Sequence, residues 1–205
     1  GQHLATELHK RGWQITGTTR TPEKLKPNLP NSWQILKFED GSSIPKLNEH
    51  LSKASHVITT ISALAGYDPV MRSHAKELHE YDGWTGYISA TSVYPDQESG
   101  FIDETTPAAP STKRGLARLN AEREWQKVCN AEIFRVAGIY GPRRNAILSL
   151  LEGSARIIKR KGQLSNRVHQ EDITNIIIKA INKFLVIFSF INMQANIDIK
   201  IGYVY

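Results

Sequence analysis

The sequence predicts an α/β protein built on a doubly wound parallel sheet. Three observations carry that expectation. Short β-branched runs, of which His56-Val57-Ile58-Thr59-Thr60-Ile61 is the clearest, alternate with apolar stripes at helical spacing. The segments joining them are short, which favours a parallel sheet with helices on both faces. The composition, 40% hydrophobic and 22% charged over 205 residues, is that of a chain able to form a core.

The elements follow in order. Leu4, Ala5 and Leu8 share one helical face, and Gly12 after Arg11 marks the end of that helix. Trp13 to Thr18 reads as a strand running into Thr19 and Arg20, and Pro22, Pro27 and Pro30 break the connection beyond it. Trp33 to Phe38 alternates like a strand and runs into Glu39 and Asp40, with a weak helix over 43–53. His56 to Ile61 is a buried strand. After Pro69, residues Met71, His74, Ala75 and Leu78 form a helical stripe. Tyr87 to Val93 is a strand, and a loop rich in glycine, proline and acids spans 95–110. A long helix then buries Ala117, Ala121, Trp125 and Val128, and Ile133 to Ala137 is a further strand. Ile173, Ile176, Ile177, Ala180, Ile181 and Phe184 make the cleanest amphipathic helix, with Asp172 near its start. From about Asn182 the chain turns rich in Ile, Asn, Lys and Phe, and the runs 184–188 and 196–201 suit two strands.

Ligands of such sheets bind at the carboxyl ends of the strands. Arg20, Asp40, Ser62, the stretch 90–94 and the stretch 138–141 therefore fall along one edge. The net charge of +6 is spread over the chain, with its densest cluster at Lys159-Arg160-Lys161. No aromatic-plus-basic pattern accompanies it, so nucleic acid is not an expected partner. A lone cysteine, Cys129, forms neither an internal disulfide nor a zinc cluster, so no metal is expected. The apolar run 184–191 is far short of the roughly 20 residues that span a bilayer. A cytoplasmic protein without membrane contact is the expectation.

Four segments in fixed order carry a resemblance. They are Ile88-Ser89-Ala90-Thr91-Ser92-Val93-Tyr94, Arg114-Gly115-Leu116-Ala117-Arg118-Leu119-Asn120-Ala121-Glu122, Phe134-Arg135-Val136-Ala137-Gly138-Ile139-Tyr140-Gly141-Pro142 and Arg167-Val168-His169-Gln170-Glu171-Asp172-Ile173. Over about residues 1–182 the chain resembles the extended and atypical short-chain dehydrogenase/reductases, the NAD-dependent epimerase/dehydratases. The resemblance implies a Rossmann-like dinucleotide-binding domain over 1–142. It also implies a small substrate segment over 143–205, whose helix at about 172–183 packs back on the first domain.

The family opens with a strand and a glycine-rich turn around the cofactor pyrophosphate. Gly1-Gln2-His3-Leu4 looks like the last glycine of that turn, which implies a first strand upstream; Gly1 as a plain helix start is the alternative. Arg20, just past a strand, suits a 2′-phosphate and so favours NADP, with NAD second; a solvated loop charge is the other reading. Asp40 matches the acid near the adenine, or caps a helix. Ser62, Ala90, Arg118, Ala137 and Gly138 complete the cofactor residues that the resemblance implies.

The family's reaction uses a Ser, a Tyr and a Lys. By residue matching the Ser falls on Ala90, the Tyr on Arg114 and the Lys on Arg118. Alanine has no proton to give, and arginine is a poor acid/base at neutral pH. Ser92, expected on the same strand face as Ala90, and Tyr94 at the strand end are partial substitutes. Arg114 and Arg118 form a two-arginine face for a phosphate or carboxylate, unless Arg118 pairs with Glu122 one turn on. His169 reads as structural. The resemblance thus implies an epimerase/dehydratase-like oxidoreductase homologue with altered or absent chemistry on a sugar or phosphate-bearing small molecule, and a possible homodimer. A non-catalytic NADP-binding sensor, or an inactive fragment, stands as the alternative.

Overall fold

The computed structural model describes residues 1–64, 66–95, 102, 103, 105–155 and 166–190. Every strand pair among them is parallel. The chain begins in α1 (Gln2–Lys10), then β1 (Thr16–Thr19), the short α2 (Pro22–Leu25) and β2 (Gln34–Lys37). α3 (Leu47–Leu51), β3 (His56–Thr59), α4 (Pro69–His79) and β4 (Trp84–Ala90) follow. α5 (Lys113–Cys129) leads to β5 (Glu132–Val136) and β6 (Gly138–Tyr140), and α6 (Ala146–Leu151), β7 (Arg167–His169) and α7 (Gln170–Phe190) complete the described part.

The ladders are β1–β2, β3–β4–β5 and β6–β7. β4 is the centre, pairing His56 to Trp84 on one side and Gly86 to Glu132 on the other. Period-two alternation sends its side chains to two different cores. On one face Leu4 and Leu8 of α1 and Ile177, Ile178, Ala180 and Ile181 of α7 cover Trp84 and Phe134. On the other, Met71 and Leu78 of α4 and Ala121 and Trp125 of α5 cover Tyr87. Helices on both faces of a parallel sheet make the doubly wound α/β fold that the sequence predicts. No described residue pairs with the second edge of β1 or of β3.

Local chemistry explains where elements start. Asp68 caps α4 by accepting from the N–H groups of Val70 and Met71, ahead of Pro69 in the first turn. Thr112 caps α5 through the N–H of Gly115. Two expectations change. Residues 91–93 are a single 3-10 turn rather than strand, closed by Tyr94 N–H donating to the Thr91 carbonyl at 3.0 Å. The run 184–188 continues α7 to Phe190 instead of forming a strand, because the apolar stripe of that helix has no breaker before it. The run 196–201 and the cluster 159–161 lie outside the described residues, as does part of the loop 95–110. No described helix is long and apolar enough to cross a membrane.

Candidate functional site

The carboxyl ends of the strands meet along one edge. β4 stops at Ala90, whose methyl side chain offers no hydrogen-bonding group. The 3-10 turn that follows is pressed against α5. A Cβ on Gly115 would lie 2.2 Å from the Ser92 carbonyl oxygen, so only glycine lets the helix come this close. Ser92, and Arg114 next to Gly115 in the chain, are both exposed. The turn also alters the expected geometry, since Ser92 does not share a strand face with Ala90: a 3-10 turn advances about 120° per residue, not 180°.

Arg118 is 7% exposed. Its guanidinium donates to the Ile88 carbonyl at 3.1 Å and to the Ser62 hydroxyl at 3.0 Å. The side chain thus reaches the carboxyl edge and stitches the end of β4 to the loop after β3. It does not join Arg114 in a two-arginine face, because Arg114 is exposed on the first turn while Arg118 is buried one turn on. Nor does it pair with Glu122. That carboxylate, 2% exposed, is taken by Arg135 of β5 through contacts of 2.8, 3.1 and 3.2 Å. A planar guanidinium meets a carboxylate in this two-point fashion.

Ser89 donates to the same Glu122, and Arg135 also donates to the Tyr94 hydroxyl at 3.1 Å while lying over its ring. Burial alone would lower the Arg135 pKa. Hydrogen bonds to Glu122 and Tyr94 reverse that and hold it above the usual guanidinium value. Tyr94 is 7% exposed, so its phenol belongs to this closed network, whereas Ser92 and Arg114 face outward. Sequence reading missed Ser89 and Arg135. The available signal was Glu122 itself, a lone acid on the apolar stripe of Ala117, Ala121 and Trp125, which requires a buried partner.

The cofactor residues divide in two. Arg20 is exposed at the end of β1 and makes no ion pair with a described residue. Asp40 lies three residues past β2 and accepts from the Tyr67 hydroxyl at 2.5 Å. Gly1 precedes α1 with no side-chain cap, and a Cβ there would stand 3.2 Å from the Thr60 hydroxyl oxygen. Ala137 and Gly138 sit where β5 gives way to β6. A Cβ on Gly138 would meet Arg167 and the Asn166 carbonyl at 2.9 and 3.1 Å. His169 packs on Tyr140 with ring centres 5.0 Å apart. Among the described residues no group of His, Cys, Asp and Glu could hold a metal ion.

No protein-family model and no curated protein sequence matches the chain. Solved structures do. A functionally unknown conserved protein from Silicibacter pomeroyi DSS is 32% identical, with a TM-score of 0.76 over 89% of this chain. The chain spans 64% of the length of that structure. UDP-glucuronic acid 4-epimerase from Bacillus cereus, in complex with UDP-glucuronic acid and NAD, is 20% identical. Its TM-score is 0.64, over 88% of this chain and 69% of that one. UDP-N-acetylglucosamine 4-epimerase from Bacillus cereus is 15% identical, with a TM-score of 0.61 over 89% of this chain and 69% of that one. The fold is that of the NAD-dependent epimerase/dehydratases, as the four motifs imply.

Proposed function

We propose that this chain, which has the fold of the NAD-dependent epimerase/dehydratases, binds a nicotinamide dinucleotide at the carboxyl edge of its sheet, with NADP preferred to NAD. Arg20 is an exposed, permanently charged group beside the end of β1, suited to a 2′-phosphate. Asp40 would face the adenine. The uncapped N–H groups at the start of α1, with Gly1 close against Thr60, suit a pyrophosphate. Ser62, Ala90, Ala137 and Gly138 would line the remainder. When bound, the dinucleotide would supply hydride transfer.

The reaction end is the part that differs. The observation that carries this reading is Arg118, buried where the family has its lysine and already bonded to Ile88 and Ser62. With Ala90 lacking a hydroxyl and Arg114 in place of the tyrosine, the usual proton route is absent. Proton transfer, if the chain performs it, falls to Ser92 or Tyr94, with Arg114 binding the anionic part of a sugar or phosphate-bearing substrate. The second reading, a non-catalytic NADP-binding sensor, is favoured by one observation: the Tyr94 phenol is closed into the Arg135–Glu122 network.

Thermal unfolding with and without dinucleotide tests the binding. NADP at 100 times its dissociation constant should add about 2.7 kcal/mol of stability. Arg20→Ala should erase the advantage of NADP over NAD. A cooperative melt that neither cofactor moves would overturn both readings. Turnover of sugar nucleotides whose KM rises in Arg114→Ala and whose kcat is lost in Tyr94→Phe separates the enzyme from the sensor.

A further inference from the structure

Helix α4 and the loop before it converge on the segment after β2. Phe38 lies against His74 of α4, with ring centres 5.6 Å apart. The Ile44 N–H donates to His74 Nε2 at 3.1 Å. Between these two anchors, the Tyr67 hydroxyl donates to Asp40 Oδ2 at 2.5 Å. His74 is 1% exposed and lies at a non-helical point within α4 (φ −141°, ψ 17°), so this docking is built into the helix.

Tyr67 is itself held on several sides. Its carbonyl accepts from the Leu64 N–H at 2.9 Å. The next residue is the buried cap Asp68. The guanidinium of Arg72, one turn into α4, stands 4.8 Å from the centre of the Tyr67 ring. Asp40 Oδ1, by contrast, bonds to no described residue.

We infer that Tyr67 is a positioning residue for base recognition: it fixes the Asp40 carboxylate by one oxygen and leaves the other to accept a hydrogen bond from an amino-bearing base. An ionised carboxylate only accepts, so the ligand atom facing Oδ1 must be a donor. The 6-amino group of adenine meets that demand and the 6-oxo group of hypoxanthine does not. Holding the carboxylate in advance spares the ordering cost on binding. This inference rests on the dinucleotide reading above and adds a residue to it.

The test is calorimetric titration of the whole chain with NADP and with its hypoxanthine analogue. Tyr67→Phe keeps the ring over Arg72 and removes only the hydroxyl. It should weaken NADP about five-fold, the equivalent of one hydrogen bond, and leave the analogue unchanged. In an Asp40→Ala background Tyr67→Phe should change neither. Equal weakening of both ligands, no change, tighter NADP binding, or an effect that persists in Asp40→Ala would each overturn the inference. If the unsubstituted chain binds neither dinucleotide, the dinucleotide reading falls and this inference with it. Binding without the selectivity change sinks this inference alone.

Discussion

The β3–β4–β5 half and the β1–β2 half of the molecule are built differently. β4 is covered on both faces, with Tyr87 and Trp125 at 0% exposure and Phe134 at 1%. β1 alternates between exposed and half-buried residues, and β2 buries only Ile35 within its span. The first half is a plate buried on both faces that carries the proposed reaction end: Ala90, Arg118 and the Glu122–Arg135 pair. The second is a thinner layer carrying Arg20 and Asp40. Proteins draw ligand-responsive segments from regions of fewer buried contacts. The residues proposed to read the cofactor thus sit in the layer with fewer buried contacts.

Core truncations test that contrast most strongly. Trp125→Ala removes a wholly buried indole from between α5 and β4 and should cost about 3–5 kcal/mol in denaturant unfolding. Ile35→Ala, in the thin layer at 8% exposure, should cost about 2 kcal/mol, the low end for such a change. Equal losses would mean that the two layers share one core.

Next in size is the ion pair of buried Glu122 with Arg135, whose side chain is 28% exposed. Glu122→Gln leaves the Arg135 charge beside a neutral amide and should destabilise by roughly 3 kcal/mol, since removing one partner strands the other charge. Arg118→Met, whose partners are a carbonyl and a hydroxyl, should cost less. The reverse order would place the electrostatic centre of the plate at Arg118.

Most of this frame was legible in the sequence, because period-two and helical patterns report burial directly. The stripes of α4, α5 and α7 are buried much as their spacing implies, and β2, β3 and β5 lie within the predicted runs or one residue from them. The proposed reaction end was less legible. Whether Ser92 continues a strand depends on Gly115 letting α5 approach, a contact more than twenty residues away in sequence. Whether Arg118 meets Glu122 depends on Arg135, which arrives from another strand. An i,i+4 rule sees only its own helix, and a tertiary partner with better geometry prevails. Tyr67 carried no local signal at all, since its partner Asp40 lies on the far side of a crossover.

The smallest effect concerns pH and belongs to the plate alone. Burial raises the carboxyl of Asp68 above its ordinary pKa, against the lowering effect of the N–H groups of Met71 and Val70 and of the Arg118 charge. Burial raises Glu132 and Glu124 in the same direction. A raised native pKa means that the folded chain keeps a proton the unfolded chain has already lost. Stability then falls as pH rises from the ordinary carboxylate value through the raised one, and is flat above it. Asp68→Asn keeps an oxygen for the Val70 and Met71 N–H groups while removing the titration. It should flatten that fall and leave the variant the more stable chain at neutral pH, with the advantage shrinking toward acid. Urea unfolding across that pH range reads the slope directly. A variant less stable than the parent at neutral pH would show that the Asp68 charge is needed opposite Arg118, and that attraction outweighs burial in the plate.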